Sequence, residues 1–233
     1  MKGKPLLLLL SGSAAFGAAA QVFVPAAGGS EARIALLLQG GHDWRRYVPQ
    51  YVEPWIKAGI AGCYPIVPQE NGSLQFEGVR ARLLDATGIF VGGGHTPTYQ
   101  RLYATDPIRS VIRERILHGV PYAGVSAGAL IAPQVCAIPP EDTGDPSVRI
   151  VAGLGLMQDC VIGVHFSEWN ALPHVLEAMA ITRTATAWGI DEDACALFEG
   201  GRFARALGGT VHEISMMDFA TLAHEITEHI SSS

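Results

Sequence analysis

Charged residues are scarce in this sequence, and basic residues never cluster. Only 16% of the 233 residues are charged, the formal net charge is −6, and no run of five basic residues occurs. Nucleic acids and anionic membrane surfaces are bound through such clusters. We therefore expect no nucleic-acid partner and no membrane partner, and an ordinary soluble protein of mild acidity.

Closely spaced cysteine pairs are absent as well. The four cysteines are Cys63, Cys136, Cys160 and Cys195, and no two of them have CxxC spacing. This argues against a zinc knuckle and a dithiol redox motif, and a chain of this length can bury a core without disulfides. We expect buried free thiols in a reducing compartment, which predicts a cytoplasmic protein.

Two uncharged stretches are too interrupted to span a membrane. The first follows Lys4 and imitates a signal peptide, but residues 11–13 (SGS) break its apolar run, so we favour a buried strand, a turn and a helix. The second lies between His118 and Glu141 and contains four prolines and three glycines. Such a composition favours a strand, a turn and a short helix.

Short apolar segments alternate with amphipathic ones along most of the chain. Strands are predicted at residues 5–10, 33–38, 60–67, 88–91 and 121–125, and helices at 14–27, 44–58, 74–84 and after Pro97 and Pro107. This alternation predicts an α/β protein, a mostly parallel sheet flanked by helices on both faces, in a single domain over residues 1–233.

The last fifty residues change character. Short strands are predicted at residues 184–189, 194–199, 202–206 and 209–214, and they suggest a short antiparallel C-terminal extension of the sheet. Residues 216–230 are predicted to form a closing helix.

The strongest local motif is Gly124-Val125-Ser126-Ala127-Gly128, which matches G-x-S-x-G directly after an apolar strand. A serine on a sharp strand-to-helix turn has a strained backbone, and small neighbours relieve the crowding. The following helix start offers N–H groups to an oxyanion. The motif therefore predicts Ser126 as a nucleophile.

A second turn, Gly92-Gly93-Gly94-His95-Thr96, also follows an apolar strand. Three glycines let the backbone approach a ligand and present free N–H groups. The Gly-Lys-Ser/Thr of a phosphate loop does not follow, so we favour a cradle for a substrate carbonyl.

A serine nucleophile needs a base, which is usually histidine. His165 follows a strand-like segment and is the best candidate, with His174 as the alternative. His42 and His95 fall at predicted strand-to-helix turns, and we expect them to line the substrate pocket.

The base in turn needs an orienting carboxylate. Glu141, Asp142 and Asp145 lie in an acidic loop between the serine and His165. A further cluster, Asp191-Glu192-Asp193, follows a predicted strand, and one of its members could also support the site.

The C-terminal histidines raise the question of a zinc site. Residues 224–229 (HEITEH) resemble the H-E-x-x-H helix of zinc proteases, but their histidines are five residues apart and would lie on different helix faces. We predict no metal site and no cofactor.

Taken together, the glycine turn (GGGHT), the serine motif (GVSAGA), residues 161–168 (VIGVHFSE) and residues 189–194 (GIDEDA) resemble peptidase family S51, the group of dipeptidase E and cyanophycinase. The resemblance covers most of the chain, and the order and spacing of the motifs are more specific than any one of them. It implies a fold similar to class I glutamine amidotransferases, with serine in place of the nucleophilic cysteine.

The resemblance also implies individual roles. Ser126 would be the nucleophile and His165 the base, and Glu141 matches the family's acid position best by spacing. The oxyanion hole would consist of the backbone N–H groups of Gly93, Gly94 and Ala127.

The sequence departs from the family at two places. His95 stands where the glycine turn often continues with Asn or Asp, and residues 168–173 (EWNALP) lack the arginines that cyanophycinases carry there. This puts recognition of a β-aspartyl-arginine polymer in doubt. A preference for an acidic N-terminal residue needs a cation, for which Arg149 and Arg183 are candidates.

We therefore expect a serine peptidase or amidohydrolase that cleaves small peptides or isopeptides, with the peptide substrate and a second copy of the chain as candidate partners. An α/β-hydrolase is disfavoured because Ser126 and His165 are only 39 residues apart. A non-catalytic binding or sensor protein on the same fold is the second class, and it would lack a carboxylate that reaches His165.

Overall fold

The computed structural model describes residues 4–231. Its strands are β1 (Leu6–Leu10), β2 (Arg33–Leu37), β3 (Gly62–Ile66), β4 (Gly88–Val91), β5 (Tyr122–Val125), β6 (Val135–Ile138), β7 (Arg149–Ala152), β8 (Cys160–Val164), β9 (Thr186–Ile190), β10 (Ala194–Glu199), β11 (Arg202–Gly208), β12 (Thr210–Asp218) and β13 (Ala223–Ile230). Its α-helices are α1 (Phe16–Ala26), α2 (Trp44–Lys57), α3 (Phe76–Asp85), α4 (Thr96–Tyr103), α5 (Ile108–Leu117), α6 (Ala127–Leu130), α7 (Pro140–Thr143) and α8 (Leu172–Thr182).

Seven strands form the main sheet in the order β11-β10-β1-β5-β4-β2-β3. The five strands from β1 to β3 in this order run parallel, and β10 and β11 are antiparallel at one edge. This confirms the α/β prediction of a mostly parallel sheet. The N-terminal apolar run is the central strand β1, and no helix among residues 4–231 is long and apolar enough to cross a membrane.

Both faces of the main sheet are buried, because side chains of a strand alternate between its faces. Leu7 and Leu9 pack in the core that includes residues of helices α3, α4 and α5. Leu8 and Leu10 pack in a second core with residues of helices α1 and α2. The helices therefore cover both faces, as the sequence predicts.

A second sheet of four strands has the order β13-β12-β9-β8. Strands β8 and β9 are parallel, whereas β9, β12 and β13 pair antiparallel. The short strands predicted in the tail are present, but they divide between the two sheets. The predicted antiparallel extension corresponds to β10 and β11 in the main sheet and to the β12–β13 hairpin in the second sheet.

The predicted closing helix over residues 216–230 is wrong. The chain continues in β12, turns after Asp218, and returns as β13, with Ile214 opposite Ile226. Isoleucine and threonine in β13 suit a pleated strand, and pairing with β12 overrides the weak helical pattern. His224 and His229 therefore lie on a strand, and the His229 ring contacts the Glu213 carboxylate at 3.0 Å.

The carboxyl ends of neighbouring strands meet at one edge of the main sheet. Ser11 follows β1, Ser126 follows β5, and Gly92 follows β4, and these three strands are adjacent. In the second sheet, His165 follows β8 and Asp191 follows β9. Residues beyond the carboxyl ends of parallel strands commonly form the ligand site of an α/β protein.

Candidate active site

Ser126 occupies a strained turn between β5 and α6. Its backbone has φ 51° and ψ −111°, a region that residues with a side chain seldom adopt. A Cβ on Gly124 would lie 2.5 Å from the carbonyl carbon of Gly128, so the serine motif needs its first glycine. The Ser126 N–H donates to the Leu10 carbonyl oxygen at 2.9 Å, which fixes the turn to the end of β1.

His165 lies directly beside this serine. The Nε2 atom of His165 is 3.0 Å from the Ser126 Oγ atom. The His165 backbone also has a positive φ, 49°, and its N–H donates to the Ser11 Oγ atom at 2.6 Å. The imidazole stacks on the Trp169 ring, with ring centres 4.1 Å apart. Ser11 and Trp169 thus hold His165 in place, and neither was predicted as a site residue.

The carboxylate that contacts the other nitrogen of His165 belongs to Glu192. Its Oε2 atom lies within hydrogen-bond distance of Nδ1, and its position depends on Gly12, where a Cβ would lie 2.6 Å from the Glu192 carbonyl oxygen. The structure therefore corrects the expectation that Glu141 occupies this position. Val164 and Ile190 are paired in the parallel strands β8 and β9, so the residues that follow them are neighbours.

Two reciprocal contacts join the loops that carry His165 and Glu192. Asp191 accepts hydrogen bonds from the Ser167 N–H at 3.1 Å and the Ser167 hydroxyl at 2.7 Å. Its other oxygen lies 3.0 Å from Nε2 of the buried His212. Glu168 in turn accepts the Glu192 N–H at 3.1 Å. These contacts fix the relative position of the two loops.

The acidic loop that was predicted to support His165 docks elsewhere. Asp142 accepts the Thr96 N–H at 3.2 Å, and its carbonyl oxygen lies 3.0 Å from Nε2 of His95. Asp145 forms an exposed ion pair with Arg149. Glu141 is exposed on α7. The reason is topological, because α7 packs against α4, where Asp142 contacts His95 and Thr96.

The glycine turn lies next to the serine. A Cβ on Gly93 would be 3.3 Å from the Ser126 Cβ, and Gly94 has φ 143°, which favours glycine. The Gly93 N–H donates to the Tyr51 hydroxyl at 3.2 Å. Within residues 4–231, neither the Gly94 N–H nor the Ala127 N–H has a hydrogen-bond partner. Two of the three predicted N–H donors therefore make no hydrogen bond among the described residues.

Comparison of the sequence with models of known protein families gives one match over most of the chain. The model of peptidase family S51 matches residues 7–206, which is most of the chain. The chain belongs to peptidase family S51. It is thereby assigned to a family of peptidases, which are hydrolases.

Sequence relatives agree with this assignment. A cyanophycinase of Trichormus variabilis is 26% identical over 216 residues, covering 91% of this chain and 72% of the relative. A peptidase E of Shewanella sp. (strain MR-4) is 32% identical over 81 residues, 34% of each chain.

Two solved structures share the fold. The crystal structure of a peptidase from an acI-B1 Actinobacterium has a TM-score of 0.73 at 18% identity and covers 99% of this chain and 98% of its own. The structure of a putative peptidase E protein from Listeria monocytogenes EGD-e has a TM-score of 0.59 at 17% identity, over 86% and 97%.

The S51 fold brings some of the predicted histidines to the site and leaves others away from it. His95 is exposed at the start of α4, where its Nδ1 atom lies 2.9 Å from the Thr98 hydroxyl. His42 lines an open cavity of about 780 Å³ whose lining includes no residue of the glycine turn. His174 lies on α8 in a small apolar pocket, so it is not beside Ser126.

The cysteines take no part in this arrangement. All four are free, and Cys136, Cys160 and Cys195 are buried whereas Cys63 is half-buried. Burial raises the pKa of the Cys63 and Cys160 thiols to about 12. Within residues 4–231, no group of three His, Cys, Asp or Glu side chains is arranged to hold a metal ion.

Proposed function

We propose that the chain is a serine peptidase of small peptides, with Ser126 as nucleophile, His165 as general base and Glu192 as the orienting carboxylate. Two contacts support the proposal. The Ser126 Oγ atom lies 3.0 Å from Nε2 of His165, and Nδ1 of the same ring contacts the Glu192 carboxylate. A nucleophile, a base and an orienting acid in this order are the working parts of a serine hydrolase.

In the proposed reaction, Ser126 Oγ attacks the carbonyl carbon of the scissile amide while its proton moves to Nε2 of His165. The imidazolium is stabilised by Glu192, to which Nδ1 donates its proton in a hydrogen bond. Collapse of the tetrahedral intermediate breaks the C–N bond, and Nε2 gives its proton to the leaving amine. A water molecule then repeats the sequence and releases the acid product and free Ser126.

The negative oxygen of the intermediate needs N–H donors. We assign this role to Gly94 and Ala127, because both N–H groups lie beside the serine turn and have no partner among residues 4–231. The Gly93 N–H is engaged with Tyr51, so we assign Gly93 a supporting role in place of the predicted donor role. Donors of this kind stabilise the charge that develops in the transition state.

A small peptide is the substrate that the site favours. A relative named peptidase E and the short loops around Ser126 support this choice. A preference for acidic residues would need a free cation. Arg149 is paired with Asp145, and the Arg183 guanidinium lies 5.4 Å from the centre of the Phe219 ring. We therefore propose small peptides and base no acidic preference on these two arginines.

The alternative class, a non-catalytic binding protein, is less well supported. A non-catalytic protein would have no carboxylate beside His165. In the structure, the Glu192 carboxylate contacts Nδ1 of His165.

A covalent probe tests the proposal. A fluorophosphonate should label the wild-type protein at Ser126, and intact-mass measurement should show one adduct. Ser126→Ala should abolish the adduct, and His165→Ala should slow its formation by about 10³-fold. His174→Ala, a histidine outside the site, is the control and should label at the wild-type rate. Labelling of the Ser126→Ala variant at another serine would refute the assignment.

A hydrolysis panel tests the substrate class. Dipeptides and a β-aspartyl dipeptide should be cleaved, whereas denatured casein should not. Rapid casein digestion without dipeptide turnover would contradict the small-peptide proposal.

A further inference from the structure

Aromatic side chains surround a cavity of about 360 Å³ beside the glycine turn. We name it the aromatic pocket, and its lining includes Trp44, Tyr47, Tyr51, Tyr99, Gly93 and Gly94. We propose that the aromatic pocket receives a neutral aromatic or apolar side chain, and that this side chain belongs to the substrate residue whose carbonyl is attacked. The inference rests on the proposed serine peptidase function and adds its specificity.

The position of the pocket relative to the reacting groups indicates which part of the substrate enters it. Gly93 and Gly94 belong both to the pocket wall and to the turn beside Ser126. The leaving amine must lie against His165, which protonates it, and neither His165 nor Trp169 lines the pocket. The acyl side of the substrate is therefore the part next to the pocket.

The hydroxyl groups of Tyr51 and Tyr99 are engaged with the glycine turn. The Tyr51 hydroxyl accepts the Gly93 N–H, and the Tyr99 hydroxyl donates to the Gly93 carbonyl oxygen at 3.0 Å. Burial raises the pKa of both tyrosines, so their hydroxyls stay neutral. Tyr99 is fully buried and Tyr51 nearly so, so the rings that a ligand can contact in the aromatic pocket are chiefly those of Trp44 and Tyr47. Aromatic rings pack well against such surfaces.

The pocket carries no formal charge. Its remaining lining residues are Leu38, Gln39, Gly40 and Gln50. A charged side chain would lose its water there without meeting an opposite charge among the lining residues, which costs free energy. A cation is disfavoured further, because the Arg45 guanidinium already lies 4.6 Å from the centre of the Trp44 ring.

The size of the cavity agrees with a single side chain and its backbone. Ligand pockets for whole small molecules span about 300–1,000 Å³, and this one lies near the lower limit. Its walls differ in exposure, since Tyr51 and Tyr99 are buried whereas Tyr47 is 55% exposed. Tyr47 can therefore be replaced with little risk to the fold, and it is the residue of choice for a test.

The experiment compares kcat/KM for Phe-Leu, Ala-Leu, Asp-Leu and Lys-Leu. We expect Phe-Leu to exceed Asp-Leu and Lys-Leu by at least about tenfold, which is the discrimination that one well-filled apolar pocket provides. Tyr47→Ala should lower kcat/KM for Phe-Leu by about tenfold and leave Ala-Leu nearly unchanged. Ile56→Ala, an exposed residue of the same helix outside the pocket, is the matched control and should change neither.

The result can be separated from the proposed function itself. Fluorophosphonate labelling at Ser126, together with equal turnover of all four dipeptides or a Lys-Leu or Asp-Leu preference, would overturn the pocket inference and leave the serine peptidase standing. If labelling and turnover both fail, an NMR titration of the Ser126→Ala variant decides. Tighter binding of Phe-Leu than Asp-Leu, lost in Ser126→Ala/Tyr47→Ala, supports the pocket, and equal binding overturns it.

Discussion

Replacing Glu192 by glutamine tests the part of the site that the sequence alone did not identify. The amide has nearly the shape of the carboxylate but no charge to stabilise the imidazolium. In a buried serine protease triad, replacing the acid by its amide lowers kcat by about 10⁴-fold, because the amide favours the wrong tautomer of the histidine. The Glu192 side chain is 47% exposed, and the Ser11 Oγ atom lies 3.4 Å from Nδ1 as a second partner. We therefore expect a smaller loss, about 10²–10³-fold.

The assay is hydrolysis of the best dipeptide under steady-state conditions. The loss should appear in kcat with little change in KM, because the carboxylate acts on the charged transition state. Glu141→Gln is the matched control, since Glu141 is exposed on α7, and we expect it to retain wild-type activity. Equal thermal midpoints would show that both variants fold. A Glu192→Gln enzyme with full activity, or an equally impaired Glu141→Gln enzyme, would refute the assignment of the orienting acid.

Three further predictions concern positioning and stability. Asp191→Asn should weaken the contacts of residue 191 with Ser167 and His212, and so loosen the two loops that carry His165 and Glu192. We expect a lower kcat, although the stacking of Trp169 on His165 should persist. An unchanged kcat would contradict this prediction. Gly128→Ala should destabilise the fold by about 1–3 kcal/mol in urea unfolding, because the new Cβ would lie 2.9 Å from the Val91 carbonyl carbon. Gly17→Ala is the control. It has open space around it and should leave the free energy of unfolding unchanged or raise it. Burial raises the pKa of Cys63 from 9.0 to about 12, so the free energy of unfolding should be fully retained below pH 9 and fall as the pH rises toward 12. Cys63→Ala should make this alkaline loss shallower, and an identical pH profile would show that the thiol does not contribute.

The local patterns of the chain were sufficient for much of the fold. Apolar runs such as residues 6–10 and 88–91 became buried parallel strands, because a strand covered on both faces must be apolar throughout. The turns that carry Ser126 and the glycines were also recognisable, because their backbone geometry restricts them to small residues at particular spacings.

Contacts between residues far apart in the sequence were harder to predict. Glu192 lies 27 residues after His165, and only the parallel pairing of β8 with β9 brings the two together. The cluster at residues 191–193 was visible as acidic residues after a strand, but the sequence does not state which strands are neighbours. Glu141 had the more suggestive spacing, and the packing of α7 against α4 takes it elsewhere.

Strand β13 and the aromatic pocket also depend on contacts between distant segments of the chain. Residues 223–230, in the segment predicted as a helix, have no strong preference for helix or strand, so pairing with β12 decides their conformation. Tyr47, Tyr51 and Trp55 recur at helical spacing, which predicts α2, yet their exposed fractions are 55%, 5% and 2%. Backbone conformation follows from neighbours along the chain, whereas the surroundings of a side chain depend on which distant segments pack against it.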